Sequence, residues 1–317
     1  MPKEAVLLLN MGGPSSLYEV EGFLTNMFYD PHILSIRNSF FRKMIANFIV
    51  SKRSEKSKKI YSAIGGKSPI TEITFSLTQK LQQMDESRLY TYVMRYTPPY
   101  SKMVLEDLKN KGIKSLVLIS MYPQYSKTTT LSSITDIYDS LKDLDYHPDI
   151  RIIDRFYANP AFSQAVLEDI KKSLNGKDST EFTLILSAHG IPESVVKRGD
   201  AYQKECEENF EIIKNKLQEQ GIIFKDIFLS YQSKVGPMKW IGPDTDQIIQ
   251  KCKKSKIIIY PISFTIDNSE TKYELSIQYK QLAQEIGIKD YIVCPCLNDS
   301  DLFAKMILQY AQPNRKD

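Results

Sequence analysis

No Cys-x-x-Cys occurs in this chain, and its four cysteines are spread through 317 residues. That spacing excludes a disulfide framework and provides no structural zinc site. Gly-x-Gly-x-x-Gly is missing too, and with it the dinucleotide fingerprint. Gly66-Lys67-Ser68 imitates a phosphate loop, but Tyr61 stands where that loop needs its first glycine, and a charged run rather than a strand precedes it. A nucleoside triphosphate is not expected. No window approaches the ~18 uninterrupted apolar residues of a membrane span, and Ala5–Leu9 is too short an apolar run for a signal peptide, so the expected location is the cytoplasm. Charge of one sign is also lacking. The 42 basic residues exceed the 38 acidic ones by +4, too little to imply nucleic acid.

What the chain does have is alternation. Its 42% hydrophobic and 25% charged content is that of a soluble globular protein long enough for two domains. Buried strands are expected at Ala5–Leu9, Leu89–Met94, Leu116–Ser120 and about Ile150–Ile153. The first three run into turns rich in Gly, Pro or Tyr. The pattern then restarts with Phe182–Ser187, Asp226–Ser230 and Ile257–Tyr260. Helical segments lie between them, among others about Leu17–Tyr29, Ile33–Val50 and Leu131–Leu144. Strand, turn and helix repeated in this order predict an α/β fold with a parallel sheet flanked by helices in each half, and a cleft that both sets of strand ends can face. The expected domains are residues 1–155 and 156–300, with a terminal helix in 301–317 returning to the first.

Of three histidines, His189 alone follows a buried strand and precedes a Gly-x-Pro turn, which puts it at the sheet edge where α/β proteins bind ligands. Position alone equally suits a satisfied strand-end histidine. The segment Asp267–Gln278 reads as a helix starting at the same edge, with Glu270, Glu274 and Gln278 four apart on one face. Its acidic start suits simple capping by Asp267 or Ser269. It also suits a carboxylate row that, opposite a neutral imidazole, binds a divalent metal and accepts protons.

Residues 22–53 contain nine large apolar residues between Ile33 and Ile49, more than one helix stripe needs, beside Arg37, Arg42, Lys43, Lys52 and Arg53. Two readings stand: a helix packed on its own sheet, or an apolar, basic-flanked lip resting on an anionic membrane surface.

Six blocks in order, Leu7–Pro14, Ile64–Pro69, Tyr122–Ser126, Ser187–Pro192, Gln232–Pro237 and Phe264–Thr271, resemble the ferrochelatase family from about residue 5 to 305. The resemblance implies two Rossmann-like domains holding a porphyrin, with Fe2+ and the porphyrin as substrates and insertion as the final stage of haem synthesis. Protoporphyrin IX is expected over coproporphyrin III. The family's facing histidine and glutamate fall on His189 and Glu270, which are also the expected metal-handling residues together with Glu274. Gln278 and Asn268 replace an acid and a histidine usual in the family. Matching pocket positions are Met11, Tyr61, Tyr96, Tyr122, Trp240 and Phe264 on the macrocycle faces, and Arg95 and Ser68 near the propionates. These types suit an aromatic-walled site for a planar carboxylated ligand, and the aromatics alternatively suit core packing. Lys127 stands where some relatives carry a cluster cysteine, so no iron–sulfur cluster and no resident cofactor is expected. The chain is expected to be a monomer, peripheral to a membrane at most. A tetrapyrrole carrier without turnover, and a chelatase for cobalt or nickel, are the rival readings.

Overall fold

The computed structural model describes residues 2–253 and 255–312. They form two compact units, one of residues 2–155 and 299–312, the other of residues 156–298.

In the first unit, β1 (Glu4–Asn10) is followed by α1 (Val20–Tyr29), α2 (Ser39–Ala63), α3 (Ile70–Met84), β2 (Leu89–Met94) and α4 (Ser101–Asn110). Then come β3 (Ser115–Ser120), α5 (Ser132–Asp143) and β4 (Asp149–Ile153). The four strands pair in parallel in the order β2-β1-β3-β4. β1 lies inside the sheet and is apolar on both faces, since Ala5, Leu7 and Leu9 join one core cluster while Val6 and Leu8 are also fully buried.

The second unit holds α6 (Pro160–Leu174), β5 (Phe182–His189), α7 (Glu193–Lys197), α8 (Tyr202–Glu219) and β6 (Asp226–Gln232). α9 (Thr245–Lys251), β7 (Lys256–Pro261), α10 (Tyr279–Glu285) and β8 (Tyr291–Val293) complete it. Its strand order is β6-β5-β7-β8, again all parallel. Strand for strand this repeats the first sheet, with β5 in the place of β1 and β7 in the place of β3. The three-residue β8 has no expectation behind it, although Tyr291-Ile292-Val293 carries the aromatic and β-branched signature of a strand. α11 (Asp301–Ala311) packs against α3 of the first unit, and Lys80 Nζ donates to the Asp299 carbonyl and to Asp301 Oδ1 at 2.5 and 2.8 Å. The end of the expected 301–317 segment, residues 313–317, lies outside the described residues.

α2 departs from expectation at both ends. Asn38 Oδ1 accepts the Phe40 and Phe41 amides at 3.0 and 3.2 Å and so starts the helix at Ser39, six residues later than the apolar pattern suggests. The helix then continues through the basic run to Ala63. Its packed face is Ala46, Val50, Ser54, Ser57 and Tyr61, spaced at helical intervals and mostly small. Phe40, Phe41, Met44, Ile45 and Phe48 stay exposed, Phe40 at 70% and Phe48 at 66%.

All four cysteines are free and buried. Burial pushes every thiol pKa up, that of Cys294 to about 12.

Gly190 ends β5 where nothing larger fits. A Cβ there would stand 2.8 Å from the Gln232 carbonyl and 3.3 Å from the Trp240 ring. Gly190→Ala is therefore expected to cost roughly 1–3 kcal/mol of stability, read as a lower urea midpoint at unchanged slope. An unchanged midpoint would contradict the packing.

Candidate functional site

In each sheet the chain steps from the inner strand to one side and then crosses to the other, so the strand order reverses between β1 and β3 and between β5 and β7. Open α/β sheets bind ligands in the crevice beyond such a reversal. The expected site residues gather at these two places, one set in each unit.

In the second unit, β5 ends on His189, whose ring is only partly buried. Phe264, just after β7, meets it edge-on with centroids 6.1 Å apart and planes at 79°. The following segment, Glu270–Gln278, is a π-helix rather than the expected α-helix. The Ser276 hydroxyl bonds the carbonyl of Thr271, five residues back, and the wider turn carries Glu270, Glu274 and Gln278 along one side. Such widened turns are rare and concentrate at functional sites. A second π-helical stretch, Lys127–Leu131, follows β3 at the equivalent point of the first unit.

The cap of the acidic segment is neither Asp267 nor Ser269. Asn268 Oδ1 accepts the Glu270 and Thr271 amides at 2.9 and 3.1 Å. Asp267 instead accepts from the Thr271 hydroxyl, the Asn298 amide and the Lys272 ammonium group. Asn268 thus has a structural task that its amide oxygen suits.

Glu274 is held from several directions. Its carboxylate accepts from Gln232 Nε2 at 2.9 Å, from the Ser233 amide at 2.9 Å and from the Ser233 hydroxyl at 2.5 Å. Ser233 reaches it from a left-handed backbone conformation, φ +68°. Burial raises the Glu274 pKa, hydrogen bonds from Ser233 and Gln232 oppose the rise, the negative charge of Glu270 adds to it, and the charge of His189 draws it down. Among the described residues no three His, Cys, Asp or Glu side chains form a preassembled metal site. A cleft of ≈ 620 Å³ opens beside Glu274, lined among others by Ser233, Asp244, Asp246, Gln278 and Glu285. Trp240 stands apart from this group, its indole N–H donating to the Val235 carbonyl at 3.0 Å and its ring against Gly190.

In the first unit, the Arg95 and Tyr96 amides donate to the Asn10 and Met11 carbonyls at 2.9 and 3.0 Å, which joins the ends of β1 and β2. Ser68 lies against Gly13 in the turn after β1, and its amide donates to the Pro14 carbonyl. Tyr61 and Tyr96 are buried in one apolar cluster with Phe23, Leu24 and Phe28, and Met11 packs on its edge. Tyr122 follows β3, its amide donating to the Ser120 hydroxyl at 3.3 Å. Arg95 is heavily engaged. Its guanidinium pairs with Asp30 at 3.1 Å and Asp136 at 3.2 Å and donates to the Ser132 hydroxyl at 2.9 Å. Asp30, fully enclosed, also accepts from the Tyr96 and Ser132 hydroxyls. Sequence reasoning missed Asp30, Asp136, Ser132, Ser233 and Gln232. Each acts through a side chain remote in sequence, a pairing that no local spacing announces.

A sequence profile of the ferrochelatase family matches residues 3–315. Ferrochelatases of Helicobacter pylori (strain P12), Helicobacter hepaticus and Wolinella succinogenes are 57%, 53% and 51% identical to this chain. Those matches cover 97%, 94% and 97% of this chain and 92%, 96% and 97% of the relatives. Among solved structures, SirB from Bacillus subtilis with Fe3+ is similar at 11% identity and a TM-score of 0.57, over 98% of this chain and 94% of that one. CbiX, described as the terminal enzyme for biosynthesis of siroheme in denitrifying bacteria, is similar at 11% identity and a TM-score of 0.54, over 97% of both chains. At such identity these two structures bear on the fold alone.

The raised Glu274 pKa has a consequence for stability. The folded state holds that proton more tightly than the unfolded chain, so this residue's contribution weakens as pH rises above the ordinary value of 4.5. Glu274→Gln is expected to flatten the fall in urea midpoint between about pH 4 and 7 relative to the parent protein. Parallel curves for the two proteins would contradict the assignment.

Proposed function

The chain belongs to the ferrochelatase family, and on that premise we propose that it inserts Fe2+ into protoporphyrin IX, releasing two pyrrole protons, with His189 and Glu270 carrying the reaction. Its enzyme class is that of the metal chelatases, lyases of haem synthesis. The observation that supports the reading is the placing of His189 at the end of β5 and of Glu270 and Glu274 on the π-helical turn after β7, on either side of the strand-order reversal of one unit.

Insertion requires an ion stripped of water and two nitrogens stripped of protons. A flat macrocycle keeps its nitrogen lone pairs in the ring plane. Bending it exposes them, with the strain drawn from binding of the ring edge. A neutral imidazole and a carboxylate divide the remaining work, holding the metal and taking the protons. Glu274 passes charge outward to the polar cleft at its back. Met11, Tyr61, Tyr96, Tyr122, Trp240 and Phe264 contribute apolar contact to the macrocycle, and Ser68 and Arg95 lie near its propionates. Arg95 already faces two carboxylates, and its guanidinium lies over the Tyr96 ring. That combination favours a porphyrin with two carboxylates over one with four.

The exposed apolar half of α2 supports a peripheral contact with an anionic bilayer. Phe40, Phe41, Met44, Ile45 and Phe48 form one surface, and Lys52 Nζ lies 5.8 Å from the Phe48 ring centroid. Apolar insertion and cation attraction then act on the same side. No helix of the described residues is long and apolar enough to cross a membrane.

Anaerobic assays with Fe2+ should show faster insertion into protoporphyrin IX than into coproporphyrin III, and the opposite preference would overturn the substrate assignment. His189→Ala and Glu270→Gln should each abolish insertion while porphyrin binding, followed by fluorescence, stays measurable. Full rates in either variant refute the roles. For the lip, the parent protein should co-sediment with vesicles containing phosphatidylglycerol, and a Phe40→Ser, Phe48→Ser double variant should lose most of that binding. Equal binding by both proteins would discard the membrane contact.

A further inference from the structure

β5 outlasts its neighbour. On one side it pairs with β6 as far as His189↔Gln232, but on the other its pairing with β7 stops at Ser187↔Pro261. In a parallel ladder the N–H and C=O of one residue point to the same side, and successive residues alternate. The Ser187 carbonyl accepts from Ile262 on the β7 side, and the Gly190 amide donates to Gln232 on the β6 side. Both backbone groups of His189 therefore point toward β7, at the level where β7 has already ended and Phe264 N–H has turned back to the Pro261 carbonyl.

Two side chains fill the place of the missing strand. The His189 amide donates to Ser263 Oγ at 2.8 Å, and the Tyr202 phenol donates to the His189 carbonyl at 2.8 Å. The amide and the carbonyl of one residue are thus each held by a side chain from a different element. Tyr202 enters from the first turn of α8, is only 6% exposed, and is anchored by its own amide on Asp200 Oδ1 at 3.0 Å. Burial holds the phenol pKa well above its ordinary value, which keeps the donor proton in place.

We propose that Tyr202 and Ser263 are positioning residues that fix the backbone of His189, and with it the direction of the imidazole, by standing in for the strand that ends beside it. This rests on the catalytic assignment of His189 made above. Neither residue touches the reacting atoms. A histidine on a frayed strand end would sample several orientations, and reaction rates depend steeply on such placement.

The scarcity of histidine supplies the test. In protein labelled with 15N-histidine, the His189 ring signals are identified by their loss in His189→Ala, and His32 and His147 serve as internal controls. Tyr202→Phe removes the donor and keeps the ring, Ser263→Ala removes the acceptor, and Ser263→Thr retains it. The expected result is that Tyr202→Phe and Ser263→Ala shift or broaden the His189 signals without moving the other two. Each variant should also lower kcat for metal insertion by about tenfold or more at unchanged KM for porphyrin, and Ser263→Thr should restore both readouts. Superimposable His189 signals in both deletion variants would overturn the proposal, as would an unchanged kcat despite shifted signals. The spectra need neither metal nor porphyrin. A parent protein that fails to insert iron would therefore remove the proposed function and leave the positioning to be decided by the ring signals.

Discussion

A central parallel strand that outruns a neighbour leaves its last residues with backbone donors and acceptors and no ladder to receive them. Both sheets here meet that constraint where the strand order reverses, and both answer it with side chains and turns. In the first unit the Arg95 and Tyr96 amides reach the carbonyls of Asn10 and Met11. In the second, hydroxyls from Ser263 and Tyr202 meet the backbone of His189. The groups suited to chemistry stand at these edges because only there does the sheet expose side chains anchored on an otherwise rigid frame.

The two halves use the same frame differently. Each places a π-helical stretch after the strand that follows the reversal. In the first unit that stretch is Lys127–Leu131, with three threonines and no carboxylate. In the second it carries Glu270 and Glu274, capped by Asn268. The first stretch carries a cation and no acid, and the second concentrates acid. The apolar cluster of Tyr61, Tyr96 and Phe28 lies in the first unit. An apolar cluster and a row of acids make opposing demands on local dielectric, and the repeated frame carries each on its own sheet.

Much of this was legible in the chain itself. β1 and β5 announce themselves as continuous apolar runs closed by glycine and proline, because a strand covered on both faces has no polar side to show. The special position of His189 follows from that same run. β8 was illegible because three residues give too little pattern to separate from a loop. The start of α2 was misread because Ile33, Leu34 and Ile36 look helical, while Asn38 decides the boundary through a cap two residues long. The network around Arg95 escaped for a different reason. Asp30 sits beside Pro31 in an unremarkable turn, and only the fold carries it across 65 positions to the guanidinium. The π character of Glu270–Gln278 was equally hidden, since acids four apart fit an α-helix as well.

The buried cysteines bear on the handling of ferrous iron. Iron(II) binds thiolate sulfur readily, and a thiolate in reach of it is open to oxidation. In this fold every cysteine sulfur is enclosed, and burial favours its protonated form. Carboxylate oxygen and imidazole nitrogen release a divalent ion more readily than thiolate does. A chelatase, which hands its metal on, benefits from thiols withheld as ligands.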